Sequence, residues 1–293
     1  MIDFFKSQQE SIDIVVDTDA FADSIYEMDD QFAIAYMLTF PKFNVKAFYT
    51  FQGDEGFTKG IEEVVKRCGR EDLANVIFSG GNKLLDVNKP EKNCAVQDLI
   101  ERSKDYSEEN PLYVLAIGPL TNIGLALLID PTISKRIVVV ALMGHDFKQA
   151  DTAEYNLIKD LAASQVLVDS DTPLVLVPCI DVAKKLVMSS EECIEHWQNK
   201  NSIGDYLIYC MSRMCPEQDF KKLKRIIWDA VPVVFFTHPE WLTTQLHERP
   251  TISSDKHWVF KKIEQKLLYV SDIEADKIKT DILERIENCY EQY

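Results

Sequence analysis

The chain has 293 residues, is 46% hydrophobic and carries a formal charge of −16 at pH 7. That apolar share supports a sizeable core, while the acidity argues against a nucleic-acid partner, whose phosphates draw basic surfaces. No apolar run reaches the roughly 18 residues that span a bilayer, so no membrane partner is expected.

The seven cysteines are scattered without a Cys-x-x-Cys pair, which reads as reduced thiols of a cytoplasmic protein rather than disulfides or zinc ligands. The opening "MIDFFKSQQES" lacks the basic and apolar regions of a secretory signal. Short β-branched runs then alternate with helical patterns. Strands are expected at Ile14–Val16, Val45–Tyr49, Val76–Phe78, Leu112–Ala116, Ile137–Met143 and Leu174–Val177. Helices are expected between them at Asp30–Thr39, Thr58–Cys68, Val96–Lys104, Thr121–Asp130 and Leu161–Asp169. This rhythm implies an α/β fold with an open, mostly parallel Rossmann-like sheet flanked by helices, since parallel neighbours need crossovers. Continuous apolar runs such as "IVVVALM" fit strands covered on both faces. From about Ser189 the pattern turns helix-rich, which reads as a helical C-terminal elaboration. A shorter β-like tail and a final helix over Asp272–Glu291 follow. With no Gly/Ser or Pro-rich linker and no repeat, residues 1–293 read as a single domain with a helix-rich insert at about 189–227.

The chemistry concentrates in "IVVDTDAFADSIYEMDDQFAIAYML". Asp17 and Asp19 fall where the first strand ends, and Asp29 and Asp30 where the next helix begins. An Asp at a helix start caps free N–H groups, which accounts for one of the second pair but for neither of the first. In an open parallel sheet, ligands collect beyond the carboxyl ends of the strands, so the two pairs converge there. Like charges this close call for a cation. An all-oxygen ligand set favours Ca²⁺ or Mg²⁺ over zinc.

Asp-x-Asp after a first strand occurs in the haloacid-dehalogenase-like phosphatases, where the first Asp is the nucleophile, but "DTDAF" departs from their usual small flap pair. Farther along come "LAIGPLTNIGLAL", "EYNLIKDLAAS" and "WDAVPVVFF". Together with "DTD…DD", this ordered set resembles the inosine-uridine-preferring nucleoside hydrolase family. The resemblance implies hydrolysis of the N-glycosidic bond of ribonucleosides, with one Ca²⁺ at the sheet edge. It makes Asp19 both metal ligand and general base, with Asp30, the Thr121 carbonyl and Asp229 as further ligands and Asp17 orienting Asp19 or the water. Asp29 would bind the ribose 2′-hydroxyl, and Glu154 and Asn156 the 5′ and 3′ side. Family members commonly form dimers or tetramers, so a homo-oligomer is expected.

Three positions depart from the family pattern. The segment "AFADSIYEM" is longer than the usual Pro-Gly linker, and its Asp23 and Glu27 are expected to be solvated. "FQGDEG" places Asp54 where a substrate-contacting Asn is usual, and an acceptor-only carboxylate reads a different substrate edge. Upstream of Glu154, Lys148 or Gln149 would have to replace an amide at the 5′ end. Trp228, directly before Asp229, takes the place of a leaving-group His and resembles the purine-leaning branch, where an indole stacks on the departing base. Tyr206, Tyr209 and Arg213 are alternative acids, and His145 is a candidate substrate contact. A ribonucleoside-binding protein with weakened catalysis on the same scaffold is the competing reading.

Overall fold

The computed structural model describes residues 11–214, 220–260 and 265–289. The strands in chain order are β1 (Ile12–Thr18), β2 (Phe43–Thr50), β3 (Ile77–Phe78), β4 (Leu112–Ala116), β5 (Ile137–Leu142), β6 (Leu174–Val177), β7 (Val187–Ser189), β8 (Lys224–Ile226), β9 (Leu242–Glu248), β10 (Thr251–Ile252), β11 (Trp258–Val259) and β12 (Lys266–Ile273). The helices are α1 (Asp29–Leu38), α2 (Glu55–Arg67), α3 (Cys94–Ser103), α4 (Thr121–Ile129), α5 (Tyr155–Lys159), α6 (Leu161–Asp169), α7 (Ser190–Trp197), α8 (Ser202–Arg213), α9 (Ala230–Thr237) and α10 (Ala275–Glu287).

Eight strands form the main sheet in the order β3-β2-β1-β4-β5-β6-β12-β9. All pairings are parallel except β12 with β9, which matches the expected mostly parallel architecture. Side chains alternate between two cores. Val138, Val140 and Leu142 of β5 face one, and Ile137, Val139 and Ala141 the other. Burial on both sides is why these strands read as unbroken apolar runs. One core is roofed by α1, α2 and α7 to α10, the other by α3, α4 and α6. The helices after Ser189 therefore pack into the same apolar cluster as α1 and α9, with Trp197 fully buried and its Nε1–H donating to Leu283 O at 2.9 Å.

Most boundaries fall within two residues of expectation, and two helix starts differ by three. The last helix starts at Ala275, because Asp272 and Ile273 belong to β12 and pair with Thr243 and Leu242. Helix α2 starts at Glu55 rather than Thr58, because the Asp54 carboxylate accepts the Gly56 N–H at 2.7 Å and caps it. The expected helix end at Glu291 lies outside the described residues.

The order fixes where a ligand can sit. From β1 the chain winds outward through β2 to β3, then returns to β4 on the other side of β1 and winds the opposite way. The crevice beyond the carboxyl ends of β1 and β4 is thus the switch point of the sheet.

Candidate active site

Strand β1 delivers Asp17 and Thr18 to that crevice, with Asp19 immediately after. Asp17 is 1% exposed. Its carbonyl accepts the N–H groups of Ile117 (2.9 Å) and Gly118 (3.1 Å), locking β1 to the loop after β4. Gly118 is required here, since a Cβ would lie 2.8 Å from the Asp19 nitrogen and 3.0 Å from its Oδ1. The Asp17 Oδ1 accepts the Asn122 amide at 3.1 Å, while Oδ2 is buried without a hydrogen-bond partner. Burial, only partly opposed by Asn122, pushes this carboxyl up to about 8. So enclosed a group offers no approach to a phosphoryl centre, and a phosphatase with Asp17 as nucleophile has no support.

Helix α1 opens with Asp29 and Asp30, and Asp229 precedes α9, which packs on α1. Asp29, Asp30 and Asp229 bring carboxylate oxygens within 4.8 Å of one another. Asp19 joins through its backbone N–H, which donates to Asp30 Oδ1 at 3.2 Å, and the Thr18 hydroxyl donates to the same oxygen. Burial first, then the charges of the neighbouring acids, holds Asp19 and Asp229 well above the usual carboxylate range. Asp30 is raised likewise by burial and Asp29, against the Thr18 hydrogen bond. Burial also raises Asp29, with the contact to Asp229 opposing. Among the described residues, no lysine or arginine lies within ion-pair distance of these acids. A converging, all-oxygen, largely buried carboxylate set, with no lysine or arginine ion-paired to it among the described residues and only the charge of Arg225 acting on Asp29, is the donor chemistry of a hard divalent ion.

The opposite wall comes from the segment before and within α5. Glu154 caps α5, accepting from Asn156 N–H (2.8 Å), Leu157 N–H (3.1 Å) and Gly144 N–H (3.1 Å). Gly144 adopts φ +68°, a left-handed turn that suits glycine. Burial pushes the Glu154 carboxyl up to about 7 despite these bonds. Asn156 donates to Ile117 O at 2.8 Å, so this wall hangs from the same loop that holds Asp17. Thr121, first in α4 and fully buried, donates its hydroxyl to Asp160 Oδ2 at 2.7 Å.

Residues 14–277 match the family described as inosine-uridine preferring nucleoside hydrolase. The chain belongs to that family. A curated relative, the pyrimidine-specific ribonucleoside hydrolase RihA of Escherichia coli, is 25% identical over 190 residues, 56% of this chain and 60% of the relative. An uncharacterized Schizosaccharomyces pombe protein is 23% identical over 221 residues, 65% of this chain and 68% of its own length. The fold is shared with a plant nucleoside hydrolase (TM-score 0.77, 17% identity, 94% of this chain and 99% of that one). It is shared also with the purine-preferring ribonucleoside hydrolase of Gardnerella vaginalis (TM-score 0.73, 17% identity, 96% and 100%).

Within this nucleoside hydrolase family member, Asp19 of the acidic cluster also lines a cleft of about 390 Å³, together with Phe21, Tyr26, Glu27, Tyr155 and Lys159, among others. The lengthened segment after Asp19 forms its lip. Glu27 departs from the solvated position expected of it. It lines the cleft, and burial together with Asp29 raises its carboxyl to about 7, against the pull of Lys159. Asp23 is exposed, as expected, and accepts the Tyr209 hydroxyl at 2.7 Å. Asp54 is exposed and occupied in capping α2. Trp228 is half-buried and packs against the core roofed by α1 and α9. Tyr206 is buried, with the Arg67 guanidinium 4.7 Å from its ring centroid. Arg213 is exposed at the end of α8. Lys148 donates its N–H to Asp146, and Gln149 is turned to Asp181. His145 is half-buried beside Thr152 and Trp258.

Two residues without an assigned role emerge as builders of the site. Asn122 bridges Asp17 Oδ1 and Thr50 O, and fully buried Asp160 accepts from Thr121 Oγ1, Leu84 N–H and Ala163 N–H. Both stand inside the motifs "GPLTN" and "EYNLIKD", which was the available signal. Replacing Asp160 by Ala would strand three buried donors and uncap α6. An expected loss of about 2–4 kcal/mol is checked by chemical denaturation.

Proposed function

We propose that this chain is a calcium-dependent, purine-leaning ribonucleoside hydrolase that releases a free base and ribose. The observation carrying this reading is the carboxylate cluster at the sheet's switch point, with the charge of Asp29 reaching buried Glu154. Asp19, Asp30 and Asp229, with the Thr121 carbonyl, would hold the ion. When bound, it would neutralise the mutually repelling carboxylates, grip the vicinal diol of the ribose and lower the pKa of the attacking water.

Asp19 then serves as the base that takes the water's proton, aimed at the anomeric carbon. Asp17 restrains it from the end of β1. Asp29 accepts from the 2′-hydroxyl, and Glu154 and Asn156 orient the rest of the sugar. Cleavage of the C–N bond leaves positive charge on the ribose ring, which a carboxylate-lined, low-dielectric pocket favours. Trp228 would stack on the departing base, an arrangement worth ~0.5–2 kcal/mol where a ring gains positive charge.

Incubation with inosine, adenosine, guanosine, uridine and cytidine in the presence of Ca²⁺, with free ribose as readout, tests the reading. Sugar release is expected, fastest from purines. Tight nucleoside binding without release from any of them would instead fit a ribonucleoside-binding protein. Trp228→Ala is expected to lower kcat/KM about tenfold for purines and less for pyrimidines. Equal losses for both would reject the stacking role.

A further inference from the structure

The amino ends of β6 and β12, the edge of the sheet opposite to Asp19, border a second cavity of about 330 Å³. Leu174 opens β6, Lys266 opens β12, and Lys135 stands shortly before β5, and all three line it. Strand β9 runs the other way, so Arg249, directly after it, reaches the same edge, where Glu248 pairs with Lys266. Of the charged residues lining this cavity, Arg249 alone is buried, at 2% exposed. The fold fixes it in place. Its backbone N–H donates to Gln265 O at 3.0 Å, and its Nη groups donate to the carbonyls of Ser170 and Thr172 between α6 and β6.

A buried guanidinium is costly unless a carboxylate or a full set of acceptors compensates it. Arg249 has neither. Among the described residues, no acid lies within ion-pair distance of it, and its Nε is buried without a hydrogen-bond partner. The charges of Asp171 and Asp169 act on it, yet burial outweighs them and brings the guanidinium down to about 10, so it stays charged at neutral pH. Asp171 is itself engaged, accepting the Gln265 amide. Lys135 and Lys266 are exposed, and they too have no acid within ion-pair distance among the described residues. Against these three cations the lining sets two acids, Glu108 and Asp171, and its apolar part is Pro173, Leu174 and Leu268. A lining with one surplus positive charge and an apolar side suits a single negative charge on a hydrocarbon body.

We propose that this cavity binds a small organic monocarboxylate, held by Arg249 together with Lys135 and Lys266. The carboxylate offsets the charge that the fold leaves uncompensated, the two ammonium groups add to the attraction as point charges, and the apolar side takes the hydrocarbon. A dianion such as phosphate fits less well, because it meets Glu108 and Asp171 and has no use for the apolar side. The site is independent of the hydrolytic reading, since it lies at the other end of the strands.

Titration calorimetry on the whole chain at low ionic strength, with benzoate, phenylacetate and hexanoate and the neutral amide of each, tests the proposal. At least one carboxylate is expected to bind with millimolar affinity, about tenfold more tightly than its amide, and to weaken as salt is added. Joint replacement Lys135→Ala and Lys266→Ala, at exposed positions, should weaken it several-fold. Glu108→Gln, also exposed, should strengthen it. Arg249→Gln should abolish binding, and if that variant fails to fold, the lysine and Glu108 variants decide. Failure of all three carboxylates to bind overturns the proposal, as does equal binding of acid and amide. Affinity unmoved by the lysine and Glu108 substitutions overturns it as well, and so does a crystal soaked with the bound carboxylate that places it away from Arg249.

Discussion

Asp19→Asn is expected to lower kcat/KM for a ribonucleoside by about 10³-fold while the fold is retained. The amide has the shape of the carboxylate but cannot accept the water's proton, and it is a weaker ligand for a hard cation. Its effect on stability distinguishes this loss from simple damage. Asp19 is buried beside Asp29 and Asp30, and their charges act together with burial to disfavour its ionised form. Removing it relieves repulsion, so the chelator-treated variant should melt no lower than the chelator-treated parent. The gain on adding Ca²⁺ should shrink. Ribose release and paired thermal melts measure the two effects. A variant that keeps more than a tenth of parental turnover would refute Asp19 as the base.

Calcium itself should have the second large effect. At a thousandfold excess over its Kd, a ligand that binds only the folded state adds ~4 kcal/mol. For a chain of this size that is roughly 8 °C in melting temperature. Without the ion, the sign of the pH dependence follows from the raised carboxyls. Asp17 and Glu154, at about 8 and about 7, stay protonated in the folded protein over a range where the unfolded chain has ionised them. Asp19, Asp30 and Asp229 are raised as well. The folded state then binds more protons at these sites, so their contribution to stability is fully present below about pH 4 and is lost as pH rises through about 7 to 8. With Ca²⁺ bound to the cluster the decline should flatten, and binding should release protons into a weakly buffered solution. Melting curves from about pH 5 to about pH 8, with and without chelator, check this. A chelated protein that grows steadily more stable over that range would contradict the account, as would identical slopes in both conditions.

Much of the architecture was legible because strand burial leaves a plain mark. Runs such as Ile137–Leu142 are apolar at every position, and the crossovers between them have helical length. Convergence of Asp19 with Asp29 and Asp30 was legible for a topological reason, since residues at the carboxyl ends of parallel strands share one edge, whereas Asp229 was suggested only by the family resemblance. Side-chain direction was harder to read. Glu27 lines the cleft, and the local pattern carries no sign of which way such a loop folds. Asp54 looked like a substrate contact, yet it occupies the N-cap of α2, a role open to any Asp before a helix. The joining role of Asp160 depends on Leu84, which is remote in sequence and meets it only after the sheet has formed.

The tie between Tyr209 and Asp23 links α8 to the rim of the cleft through a water-exposed contact, whereas the floor is riveted by buried Asn122 and Asp160. One exposed hydrogen bond is a weaker tie than several buried ones. The rim is therefore expected to open locally at a lower free-energy cost than the floor, which hydrogen exchange at the two places would measure.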